Sequence, residues 1–379
     1  MSAPPSARAR VERVERLELL AGGLRERELD VLLVCAPVNL RYLTGFTGTT
    51  GLALIAADGA GAPSARGHRF ITDFRYATQA AEQLPEVFER EIVADNLLEG
   101  AAASLKEGSG RLGFDEASLS VRDHARLREL LAPSWELVAS DGVVEDMRVV
   151  KDESELQRIR AASQLADEAL LAVLEAGAVG RSERELALEI ELRMRRLGAD
   201  GVSFPPIVAA GAHAALPHAQ PREQRIPPNV LLLIDWGAMH EGYCSDCTRT
   251  YATGESIAEQ AREVYEVVRC AQEQALAATR AGPSGPELDA VARGVIEAAG
   301  YGEQFGHGLG HGVGMLVHEG PRVSRTAGPE PLRDGNVVTI EPGVYMPGAL
   351  GVRIEDLVVV RDGGCEVITA LPKALTVIS

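Results

Sequence analysis

Two apolar segments of this chain each carry a pair of acids, and any fold it adopts must accommodate them. They read VLLLIDWGAMHEGYCSDCTRTY (230–251) and VVTIEPGVYMPGALGVRIEDLVVV (337–360). Each has the pattern strand, tight turn, strand, and in an antiparallel hairpin residues equidistant from the turn face each other. A turn at His240-Glu241 sets Asp235 opposite Asp246, and the turn PGALG centred on Gly348 sets Glu341 opposite Glu355. Carboxylates placed this way among leucine, isoleucine and valine repel one another and lose hydration. A single such pair reads as two exposed strand acids. Two pairs in matching places require something cationic between them, and four carboxylates with a histidine make an oxygen-rich site able to hold two divalent metals.

The histidine is supplied by FGHGLGHGVGMLVHEGPR (305–322), which holds His307, His311 and His318, three of the chain's eight histidines. Glycines at 306, 308, 310, 312 and 314 disfavour a helix by about 1 kcal/mol each relative to alanine, so the backbone is expected to be extended. On an extended strand His307 and His311 share a face, and the glycines allow another chain or a substrate to come close. His318 lies seven residues on and is expected to do a different job. His68, His124, His213 and His240 are expected at the surface or in turns.

A length of 379 residues predicts two domains. Residues 1–150 alternate helix-like stretches (about 9–28, 76–90 and 121–132) with short apolar runs at 31–36, 51–56 and 69–72, an α/β pattern. Residues 151–379 begin with a capping-box signature at Asp152 and Glu155 and then repeat the order helix, helix, hairpin. Asp235 and Glu341 occupy corresponding places 106 residues apart. The net charge of −17 argues against a nucleic-acid or anionic-membrane surface. Five scattered cysteines suit a reducing compartment, MSAPPSARAR lacks the apolar core of a signal peptide, and VLLVCAPV (31–38) is too short to span a bilayer, so cytoplasm is the expected location.

The motifs IDWG, SDCTRT, GHGVG, TIEPG and VRIED resemble those of the M24 metallopeptidases, the pita-bread family of methionine aminopeptidase, aminopeptidase P and prolidase. NLRYLTGFTG (39–48) and TDFRY (72–76) resemble the additional α/β domain of the proline-specific branch, shared with creatinase. The resemblance implies a creatinase-like amino-terminal domain (1–150) and an α+β pita-bread catalytic domain (151–379). It also implies one metal held by Asp235, Asp246 and Glu355 and a second held by Asp246, His311, Glu341 and Glu355. Glu341 is then the proton carrier, and His218, in ALPHAQP, and His318 donate to the substrate carbonyl and the developing oxyanion. His307, Arg322 and Arg353 fall on the substrate side, with Arg353 also able to orient ligands and Arg322 placed to bind a dipeptide's carboxylate. Carboxylates with one imidazole favour manganese, with cobalt, iron and zinc as alternatives. The implied substrate is a short Xaa-Pro peptide, and a homodimer is the family expectation.

Dipeptidase and aminopeptidase readings both stand at this level. A metal-free creatinase-like amidinohydrolase and a non-catalytic binding module leave the complete ligand set unexplained. Cys244-Ser-Asp-Cys247 has the spacing CxxC, but strand alternation sends the two thiols to opposite faces. The glycine run does not spell a dinucleotide-binding loop in any frame.

Overall fold

The computed structural model describes residues 7–57 and 67–379. The start of MSAPPSARAR, residues 1–6, lies outside the described residues. The chain divides into two compact units, Met1–Met147 and Arg148–Ser379, against the sequence-based boundary at 150.

In the first unit, six strands among the described residues form one sheet in the order Phe88–Val93, His68–Asp73, Leu52–Ala56, Val31–Val34, Gly110–Phe114, Trp135–Ala139. Val31–Val34 is buried at every position, as its run of valine and leucine predicts, and it pairs antiparallel with Leu52–Ala56 and parallel with Gly110–Phe114. Pro37 does more than end this strand. It opens a helix, Pro37–Thr44, where its missing N–H costs nothing. The helix expected over 76–90 stops at Gln83, and FEREIV (88–93) is a strand that exposes Glu89 and Arg90. His68, expected at the surface, is buried, and its Nδ1 accepts from the Ala56 amide at 3.2 Å. Burial lowers its pKa to about 4, so the ring is neutral.

The second unit is built twice from one plan. Helices Glu153–Glu175 and Glu183–Leu197 precede a hairpin of Leu231–Trp236 and Cys247–Ala252; helices Glu259–Ala278 and Gly285–Ala298 precede one of Val337–Ile340 and Asp356–Arg361. Capping boxes at Asp152/Glu155, Ser182/Glu185 and Ser284/Glu287 start three of these helices. Each helix pair packs its apolar stripe on its own sheet. Ala169, Leu170, Val173, Leu186, Ile190 and Met194 lie against Leu232, Ile234 and Trp236. Val264, Val268, Ala271, Leu288 and Ile296 lie against Val338, Ile340 and Val358 in the second core. Each fully buried leucine or isoleucine contributes roughly 1.5–3 kcal/mol by removal from water. These two cores fix the sheets, and the sheets carry the acids.

Candidate metal centre

The two hairpins present their acids by different registers. In the glutamate hairpin, Ile340 pairs with Asp356 and Gly343 with Arg353, one register on both sides of a short break, so Glu341 lies across from Glu355. The aspartate hairpin differs from the sequence-based reading. Met239 pairs with Cys244 and His240 with Tyr243, which leaves Glu241-Gly242 as the two-residue turn, with φ of 48° and 84°. Left-handed backbone at both positions matches a type I′ turn, and it shifts the turn one residue from the expected His240-Glu241. The residue opposite Asp235 is therefore Thr248, and Asp246 sits diagonally, in the break between Tyr243–Cys244 and Cys247–Ala252. Gly237 lies against the Ser245 carbonyl at that break, where a Cβ has no room.

The alternate glycines from 308 to 314 have a similar cause, whereas Gly306 faces open space. A Cβ on Gly310 would overlap the Thr339 carbonyl, on Gly312 the Gly320 carbonyl, and on Gly314 the Glu319 side chain. Neighbouring strands thus crowd the segment that bears His311. His311 donates from Nδ1 to the Gly312 carbonyl at 3.2 Å, which turns Nε2 inward, 3.2 Å from Glu341 Oε1 and 3.7 Å from Asp246 Oδ2.

Electrostatically, this cluster is incomplete. Asp235, Asp246 and Glu355 are buried, and burial first, then the neighbouring carboxylates, push Asp246 and Glu355 well above the ordinary carboxylate range. Asp235 is also raised by burial, with Arg353 opposing. Glu341 goes the other way: burial acts to raise it, but the hydrogen bond and charge of His311 bring it down to about 2. Asp235 Oδ1 and Glu355 Oε1 are buried with no hydrogen-bond partner. Ligand atoms of Asp246, His311 and Glu355 all lie within 4.8 Å of one another. Orphaned carboxylate oxygens converging beside one imidazole fit hard or borderline divalent cations.

The cluster forms the floor of a cleft of about 840 Å³, walled by Phe204, Pro205, Ile207, Pro217 and Val317. At this point the chain can be placed among known proteins. The profile of metallopeptidase family M24 matches residues 157–362, and that of the creatinase/prolidase N-terminal domain matches residues 16–150. The chain belongs to metallopeptidase family M24. It is 36% identical to the Xaa-Pro dipeptidase of Pyrococcus furiosus over 95% of this chain and 99% of that one. Its fold is similar to the Xaa-Pro dipeptidase from Bacillus anthracis (TM-score 0.88, 36% identity, 97% of this chain and 99% of that one). It is also similar to the X-Pro aminopeptidase from Thermotoga maritima (TM-score 0.84, 35% identity, 96% and 99%). The two units are thus a creatinase-type amino-terminal domain and a pita-bread peptidase domain.

Within this M24 cleft the remaining sequence-derived candidates separate. His218, His318 and Arg322 line it with exposed side chains, and the side chains of His218 and Arg322 make no hydrogen bond or ion pair with any described residue. The His318 ring stacks edge-on to His311 at 4.3 Å, and burial, then His311, keeps its pKa low. Arg322 is paired in register with His311 across the adjacent strand.

Arg353 and His307, expected on the substrate side, line the cleft with their polar atoms bonded within the protein. Arg353 is buried, donating from Nη2 to Asp235 Oδ2 (2.5 Å), from Nε to Thr248 Oγ1 (2.9 Å) and from Nη1 to Tyr345 Oη (2.8 Å). His307 holds the Gly308 carbonyl through Nδ1 and Tyr345 Oη through Nε2 (2.7 and 2.9 Å). Arg353 thus braces Asp235 directly, whereas His307 reaches Tyr345 and none of the acids.

Thr248, Thr339 and Tyr345 were not singled out in the sequence. Thr248 donates to Glu355 Oε2 (2.8 Å), and Thr339 donates to Glu341 Oε1 (3.1 Å) while accepting from the His311 amide (3.1 Å). The signal was their position in strand alternation beside the acids, which is also where threonine occurs as an ordinary strand former. All five cysteines fall among the described residues, and none is in a disulfide. Among the described residues no helix is long and apolar enough to cross a membrane.

Proposed function

We propose that the chain hydrolyses the peptide bond preceding proline in Xaa-Pro dipeptides, using two divalent cations, most naturally manganese. The observation that carries the dipeptide reading is Arg322, an exposed, unpaired cation on the wall of a cleft whose floor is acidic. A free carboxylate is the group such a guanidinium recognises. Support for proline specificity comes from the dipeptidases of Pyrococcus furiosus and Bacillus anthracis.

Asp235, Asp246 and Glu355 would hold one cation, and Asp246, His311, Glu341 and Glu355 the other. Bound there, the cations supply Lewis-acid polarisation and a water that loses its proton near neutral pH. Glu341 would carry a proton at its carboxylate from the attacking water to the leaving proline nitrogen. His218 and His318 donate hydrogen bonds to the scissile carbonyl oxygen and to the charge that grows on it. Arg353, Thr248 and Thr339 keep the carboxylates aimed. Arg322 draws the substrate's carboxylate to the cleft wall beside the strand that bears His311.

The Thermotoga maritima neighbour favours a second reading, an aminopeptidase acting on longer Xaa-Pro peptides by the same chemistry. The two part on substrate length. Hydrolysis of an Xaa-Pro dipeptide, its amide and a longer Xaa-Pro peptide is measured in wild type and Arg322→Ala. The dipeptidase reading predicts preference for the free dipeptide, lost in the variant through a KM up to about fivefold higher, since an exposed ion pair contributes up to about 1 kcal/mol. Equal or faster cleavage of the longer peptide by wild type supports the aminopeptidase.

A further inference from the structure

His218 stands in the cleft on a loop, without a hydrogen bond to hold it, so its place must be set from elsewhere. Both ends of that loop converge on one carboxylate. Glu183, with a side chain 1% exposed, accepts from the Ala210 amide at 2.9 Å and the Arg222 amide at 3.0 Å. It also accepts from Arg222 Nε and Nη2, both at 3.1 Å, and lies 2.9 Å from His213 Nδ1. His213, expected to be a surface or turn residue, is thus part of a mostly buried cluster. Burial acts to raise the Glu183 carboxyl, but the bonds from Arg222, Ala210 and His213 outweigh it and hold the group below its ordinary range.

Between these feet, the loop rests on the glutamate hairpin. The Ala214 carbonyl fills the space a side chain on Gly351 would take, and Arg353 Nη1 donates to the Pro217 carbonyl at 3.3 Å. The residue after Pro217 is His218. Helix capping does not account for Glu183, because Ser182 and Glu185 already complete the capping box of its helix. What Glu183 uniquely joins is Ala210 to Arg222.

We propose that Glu183 is a positioning residue for peptide hydrolysis, clasping both feet of the 210–222 loop so that His218 is presented to the substrate. The proposal rests on His218 being a substrate-binding donor, as in the function proposed above. A donor that drifts by about 1 Å can lose up to about a hundredfold in rate, which is the leverage a buried clasp would exert.

The test is a double-mutant cycle of Glu183→Gln and His218→Ala on the manganese-loaded protein, with hydrogen exchange measured in parallel. Glu183→Gln keeps the shape and removes the charge. Expected are a kcat roughly ten- to hundredfold lower with KM little changed, and faster exchange at the Ala210 and Arg222 amides. In the His218→Ala background the same change should cost no more than about twofold further, because both act through one residue. Equal fold-losses in the two backgrounds, or an unchanged kcat in Glu183→Gln, overturn the proposal. Should Glu183→Gln not fold, Arg222→Ala removes the guanidinium from the half-exposed side of the clasp, and the same coupling to His218 is required of it. A wild type that cleaves no Xaa-Pro peptide overturns the functional reading instead; unchanged exchange at residues 210–222 in Glu183→Gln overturns the clasp whatever the activity.

Discussion

His311 and His318 have rings 4.3 Å apart, yet their surroundings assign them opposite tasks. His311 has its Nδ1 fixed by the Gly312 carbonyl and its Nε2 among carboxylates, the setting of a ligand. His318 is exposed to the cleft and faces no carboxylate closely enough to pair with it. His311→Ala should therefore lose bound metal. His318→Ala should keep its metal, measured on the purified protein, while kcat falls by about a hundredfold, the usual cost of one oxyanion donor. The reverse pattern would show that the roles are exchanged. At this scale the acids and His311 were legible because no bland reading explains two carboxylate pairs in apolar strands. Thr248, Thr339 and Tyr345 were not, because hydroxyls in strands have many ordinary uses and only coordinates show Thr248 touching both Arg353 and Glu355. Sequence placed Arg353 beside the site, on the substrate side and able to orient ligands, but could not show that Asp235 holds it.

Elements explain where the spacing argument held and where it slipped. The glutamate hairpin is symmetric about Gly348, so equidistance from the turn placed Glu341 across from Glu355. In the aspartate hairpin the turn lies one residue later than its sequence suggests, because Glu241 adopts the left-handed backbone usually left to asparagine or glycine. A shift of one in the turn moves the cross-strand partner by two, and period-two alternation still leaves Asp246 on the same face. That is why the site could be read despite the wrong register. The glycine strip makes a prediction of its own. Gly310 lies against the Thr339 carbonyl, so Gly310→Ala forces apart the strands that hold His311 and Glu341. Chemical denaturation should show a loss of about 2 kcal/mol or more, with weakened metal binding. A variant as stable as wild type would mean that the strands can separate freely there.

For the whole molecule, the doubled helix-helix-hairpin plan is what brings four acids from distant sequence positions to one floor. Each half packs its own core, and among the described residues the only cationic partners of these acids, Arg353 on Asp235 and His311 beside Glu341 and Asp246, both come from the second half. The order of elements and their spacing were legible, since helix periodicity, capping boxes and apolar strands are local signals. Convergence of the two halves was only implied, by the chemical cost of leaving the acids uncompensated. The central claim is that cations complete this floor and are required for hydrolysis. Its most direct test is to strip the purified protein with a chelator, titrate manganese back, and follow bound metal and Xaa-Pro cleavage in the same samples. The account predicts no cleavage in stripped protein and recovery as two equivalents bind; full cleavage by protein carrying no metal would contradict it.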